Sequence, residues 1–149
     1  MARLLSLVTA GQRLGSACTL CCASALAANA LDLALPRGAQ SQLNASEPLA
    51  RYALPIGIYE NGIVPNRVVE GTVTRSVWQI PQMAPSTADV FSDIQDQLID
   101  QGFSVDFSCQ DQQCGGFDFR FGIEIAQGPD MFVDLSTFWF ASFSQGPDQ

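Results

Sequence analysis

The sequence predicts an α+β domain in which an antiparallel sheet of about four or five strands carries one principal amphipathic helix, residues 86–101, on one face. Three observations lead there. Apolar and polar residues alternate at period two over 67–80, 103–109 and 117–125, the pattern of half-buried strands. One stretch, Val90, Phe91, Ile94 and Leu98, repeats instead at helical spacing. The alternation resumes as soon as that helical pattern stops, so helix and strands belong to one packed unit.

The first thirty residues stand apart from this unit. Arg3 and Arg13 precede an apolar run over 14–27, and Ala28-Asn29-Ala30 follows as a small-x-small cleavage signal. This is the order of a secretory signal peptide cut after Ala30. The apolar run is shorter than the roughly 20 residues a membrane-spanning helix needs, so the mature chain is expected to have no transmembrane helix. Cleavage would leave residues 31–149 as one domain, with an irregular N-terminal wrap over 31–66 and an α+β core over 67–149.

The wrap is read as irregular because Pro36, Pro48, Pro55 and Pro65 interrupt any helix and Gly38, Gly57 and Gly62 supply turns. Leu54, Ile56, Ile58 and Tyr59 are expected to pack on the core. Residues 67–80 form the first long strand, with Val69, Val73 and Val77 on one face. Arg75 shares that face, where it needs a counter-charge at the rim.

After the linker from Pro81 to Pro85, Ser86 is the expected N-cap, with Asp89 three residues on as a carboxylate capping box. Gly102 supplies the residue that ends the helix, and Phe103 can fold back on Leu98 as in a Schellman ending. The opposite helix face carries Asp89, Asp93, Asp96 and Asp100 with no basic residue between them. It is a possible acidic interaction face. Helical spacing holds carboxylates on a convex surface, unlike a calcium loop, so a solvated face is the ordinary reading.

Phe103, Val105, Phe107 and Cys109 alternate with polar residues, and so do Phe117, Phe119, Phe121, Ile123 and Ile125. Two such runs joined by a short loop predict an antiparallel hairpin. Gly128-Pro129-Asp130 makes a turn into a further strand over 131–135, and Phe138, Trp139, Phe140 and Phe143 crowd a last strand near the end of the sequence.

Composition excludes most catalytic templates. All seven basic residues are arginine, so no histidine can act as a triad base or metal ligand and no lysine can form a Schiff base or cradle phosphate. The formal charge is -8; removal of the first thirty residues leaves five arginines against fifteen acids, or -10. Such a chain repels nucleic acid. No enzyme, metal or cofactor is expected. A carboxylate hydrolase built on Asp106, Asp111, Asp118 or Glu124 has no spacing signature to recommend it.

Three of the five cysteines lie in the leader, which leaves Cys109 and Cys114 as an even pair in a compartment that permits disulfides. Four intervening residues let the sulfurs meet across a turn, and a structural disulfide is expected. A redox centre would call for a cationic helix start rather than flanking acids, and zinc for two further ligands.

The run Val69-Glu-Gly-Thr-Val-Thr-Arg-Ser-Val-Trp78, the helix ending Gln101-Gly-Phe103, Phe107-Ser-Cys-Gln-Asp-Gln-Gln-Cys-Gly-Gly-Phe-Asp-Phe-Arg-Phe121 and Met131-Phe-Val-Asp-Leu135 together resemble a specific group. They are similar to the N-terminal periplasmic region of alphaproteobacterial OmpA family proteins. The chain lacks that family's C-terminal OmpA-like peptidoglycan-binding domain, so no wall-contacting residue carries over. The resemblance implies an exported periplasmic protein, associated with the outer membrane, in which this region is a non-catalytic accessory or interaction domain of a shortened OmpA-like protein. Its partner would be an envelope protein or a cell-wall component. The alternative is a stand-alone secreted ligand-binding module, expected to open a pocket among the C-terminal aromatics.

Overall fold

Two antiparallel hairpins of very different character, and three helices, make up the chain in a computed structural model that describes residues 31–81, 85–132 and 137–146. Residues 32–149 form one contact unit. The signal peptide expected over 1–30 lies outside the described residues, as does most of the strand expected over 131–135.

The first hairpin pairs β1 (Gln40–Pro55) with β2 (Asn66–Gln79). β2 occupies the strand predicted over 67–80. β1 corrects the irregular wrap expected over 31–66. Its ladder absorbs extra residues between Ser41 and Leu43 and between Glu47 and Ala50. The second irregularity holds Pro48, which has no N–H to offer a ladder, and Leu49 at φ 56°. A proline that reads as a breaker is therefore accommodated in a bulge on a strand that pairs on one side.

α1 (Thr87–Asp100) follows the sequence closely. Ser86 Oγ accepts from the Asp89 N–H at 3.2 Å, while the Asp89 carboxylate accepts from the Ser86 N–H and hydroxyl, completing the capping box. At the other end Phe103 N–H donates to Leu98 C=O (3.0 Å) and Gly102 N–H to Ile99 C=O (2.9 Å), a Schellman pair closed by Gly102 at φ 88°. Residues 32–34 are clamped along the helix. Ala34 N–H donates to Gln97 Oε1 (2.6 Å), Gln97 Nε2 donates back to Ala34 C=O (3.1 Å), and Gln101 Nε2 donates to Asp32 C=O (2.7 Å).

α1 packs on the second hairpin, β3 (Ser104–Gln110) paired with β4 (Trp139–Ser144). Here the expectation of one sheet with four or five strands fails. The four described strands form two separate two-stranded sheets, and the expected strand over 117–125 is largely helical. After Cys109 the chain turns through α2 (Asp111–Cys114) and α3 (Gly116–Gly122). Left-handed Gly115 (φ 111°) and Gly116 (φ 57°) redirect it away from β3, whose partner is the later aromatic strand. Phe119 alone turns fully inward, against Phe107, Phe138 and Phe140 at ring-centroid distances of 6.4, 6.3 and 5.2 Å. The alternating phenylalanines fit a helix equally well, because Phe117 and Phe121 are i and i+4.

The buried cluster comprises Val64, Cys109, Cys114 and Phe119, with Tyr59, Phe107, Ile123, Phe138 and Phe140 around it. The turn closing the β1–β2 ribbon docks here. Tyr59 N–H donates to Cys114 C=O (2.8 Å), and the approach is so close that a Cβ on Gly115 would stand 2.6 Å from Tyr59 Cβ. Ribbon and core are thereby joined at Tyr59 and Val64.

Candidate functional site

The apolar stripe of α1 is covered at one end and open at the other. Leu98, in its last turns, is buried, whereas Val90, Phe91 and Ile94 are half-buried at the opening of a groove. Ile80 and Pro81 from the end of β2, Pro85, Ser86 and Thr87 from the helix start, and Trp139 from β4 complete its walls, which enclose about 550 Å³. Each wall has a local cause. The capping box fixes where α1 begins, and the β3–β4 ladder opposite Gln110 fixes Trp139, whose ring meets Phe91 at 5.0 Å with planes tilted by 31°. Among the described residues the lining has no acidic or basic side chain; its polar members are Ser86 and Thr87. Such a surface binds apolar groups by removing them from water and offers hydroxyls only at its mouth.

A smaller recess of about 290 Å³ lies where Gln42, Val77, Trp78 and Gln79 of the ribbon meet residues 129–132. Among the described residues Asp130 is its one carboxylate.

No known family, curated protein or solved structure matches the chain. The site must be read from its own geometry.

Of the residues singled out in the sequence, Cys109 and Cys114 are brought together, with sulfurs at disulfide distance, 2.07 Å. Both are buried, Cys114 completely, which shields the pair from reductants and fits a structural bond. Asp89, Asp93, Asp96 and Asp100 are exposed on α1, outside the groove lining. Asp89 is engaged in the cap, and no group of three potential ligands is arranged to hold a metal ion among the described residues. The stripe therefore does not form a converging site.

Asp106 and Glu124 are each engaged by structural partners. Asp106 accepts from Arg67 (2.9 Å) and from Ser144 Oγ (2.8 Å), joining β2, β3 and β4. Glu124 accepts from Arg75, which also faces Glu47 at 3.7 Å; this is the rim ion pair that Arg75 required. The hydrogen bond to Glu124 raises the Arg75 pKa, and burial, followed by the Glu124 charge, raises that of the half-buried Tyr52. Among the described residues neither recess brings two carboxylates together.

Through Trp139 the groove reaches the C-terminal aromatics, where the ligand-binding alternative expects a pocket, but Pro81 to Pro85, whose two prolines also line it, reads in the sequence only as a linker.

Proposed function

We propose that this chain is a non-catalytic accessory or interaction domain of the cell envelope, exported to the periplasm and related to the N-terminal region of OmpA family proteins, which holds apolar side chains of an envelope partner in the α1 groove. The observation that carries the reading is the groove itself: an open apolar lining whose described residues include no acid or base side chain, set between two elements fixed independently of it. Those residues suit uptake of apolar groups and supply no proton donor or nucleophile beyond two hydroxyls.

The test is a photo-crosslinking side chain placed at Val90 in the protein expressed in its native host, with the envelope and cytoplasm fractionated afterwards. The reading expects a mature N-terminus at Leu31, recovery in the envelope fraction, and one discrete adduct that Ile94→Asp abolishes. Cytoplasmic recovery, or the same adducts with and without Ile94→Asp, would contradict it.

A second reading, a stand-alone ligand-binding module, is favoured by the size of the same groove. At about 550 Å³ it falls within the roughly 300–1,000 Å³ typical of small-molecule sites, and Trp139 forms part of its wall. In a Trp78→Phe background, Trp139 becomes the sole tryptophan of the mature chain. Saturable quenching by small apolar compounds, in the absence of any protein adduct, would favour that module over the interaction domain.

A further inference from the structure

The surface of α3 combines two features that are unfavourable in an isolated molecule. Phe117 and Phe121 are 58% and 68% exposed, and their rings stack against one another at 4.3 Å, forming an aromatic ridge on the outside of the helix. Beside them Arg120 is half-buried, its Nε is shut off from water, and no hydrogen-bond or ion-pair partner meets it among the described residues. Arg51, Arg67 and Arg75 all have carboxylate partners. A guanidinium whose Nε is desolvated and that has no counter-charge is unfavourable, and aromatic ridges of this kind mark contact surfaces.

Helical geometry arranges these groups in a definite way. With Phe119 inward and the Phe117/Phe121 ridge outward, Arg120 and Asp118 fall on opposite flanks of the ridge, roughly 80° to either side at about 100° per residue. Asp118 is exposed. The patch is therefore complementary to itself. Two copies related by a twofold axis running along α3 would lay ridge against ridge, with Asp118 of each copy beside Arg120 of the other on both flanks.

We infer that the α3 face is a self-association surface whose occupant is a second copy of this chain, joined by the Phe117/Phe121 ridges and two reciprocal Asp118–Arg120 pairs. The surface is separate from the α1 groove, and the inference does not rest on the function proposed for it. The two rings expose roughly 250 Å² per copy, taking about 200 Å² for a phenylalanine. The area remains below the ~1,200 Å² total of a stable interface, so association is weak, with a Kd in about the micromolar range or above.

Sedimentation velocity of the purified protein over a wide concentration range tests this. The parent chain is expected to pass reversibly from monomer to dimer. Asp118→Arg and Arg120→Asp, each alone, should be at least about tenfold weaker, because like charges then face across the axis. Mixed in equal amounts they should recover a heterodimer, since each supplies the charge the other lacks. Phe121→Ser, at an exposed position, should also weaken association and serves as the second probe if Arg120→Asp fails to fold. A parent chain that stays monomeric, a dimer indifferent to Asp118→Arg and Phe121→Ser, or a mixture no more associated than its components would overturn the inference.

Discussion

The β1–β2 ribbon and the disulfide core hold their shapes by different means. Along the ribbon most side chains are exposed, and what joins the strands is the ladder itself with cross-strand pairs such as Ser46–Thr74 (3.2 Å) and Gln42–Gln79 (3.2 Å). In the core, a buried disulfide, a fully buried phenylalanine and a helix packed on a short hairpin enclose one another. Two-stranded ribbons are marginal alone, so this one depends on its docked turn and on the Arg67 and Arg75 ion pairs that tie it to the body. The lesson is that strand length does not measure strand stability. The sixteen-residue β1 has the more local support, while the six-residue β4 lies on the core.

That contrast can be broken most severely at Phe119. Phe119→Ala removes a fully buried ring from contact with three other aromatics, and a loss of about 3–5 kcal/mol is expected in urea unfolding. Cys109→Ser with Cys114→Ser comes next. The closed loop is short, so the entropic part is small and about 2 kcal/mol is expected from the same measurement. Ser86→Ala should cost about 1 kcal/mol by opening the capping box, and it should loosen the groove mouth.

The smallest effect belongs to the ribbon and depends on pH. Burial and Glu124 raise the Tyr52 pKa in the folded state. Its contribution to stability is complete below the ordinary tyrosine pKa and is lost as pH rises through the raised folded value. Tyr52→Phe should therefore flatten the alkaline decline of stability in a series of urea titrations, with little change at neutral pH.

The parts of the fold that local chemistry determines were legible in the sequence. Ser86, Asp89 and Gly102 delimit α1 within a residue or two, the valines of β2 mark its strand, and the Cys109–Cys114 pair expected across a short turn is formed. What was hidden depends on pairing between distant segments. Pro48 concealed β1, because nothing local announces that a bulge will absorb it. The Phe117-x-Phe-x-Phe121 run admits both periods. Its resolution as α3 follows from β4 taking the place beside β3 and from the left-handed turn at Gly115 and Gly116. Those two glycines, with Asp118 in the first turn and Arg120 in the last, were the available signal for a short helix. The groove is harder still. It exists only where the end of β2, the start of α1 and Trp139 converge.

Native-state hydrogen exchange, read amide by amide, tests the central contrast most directly. Amides of β3, β4 and the buried half of α1 should exchange only through global unfolding, with free energies that fall together in Phe119→Ala. Amides along β1 and β2, away from Pro55 and the docked turn, should open at distinctly lower free energy and respond little to that substitution. Ribbon amides as protected as those of β3, and equally sensitive to Phe119→Ala, would contradict the account and make the two hairpins one cooperative unit.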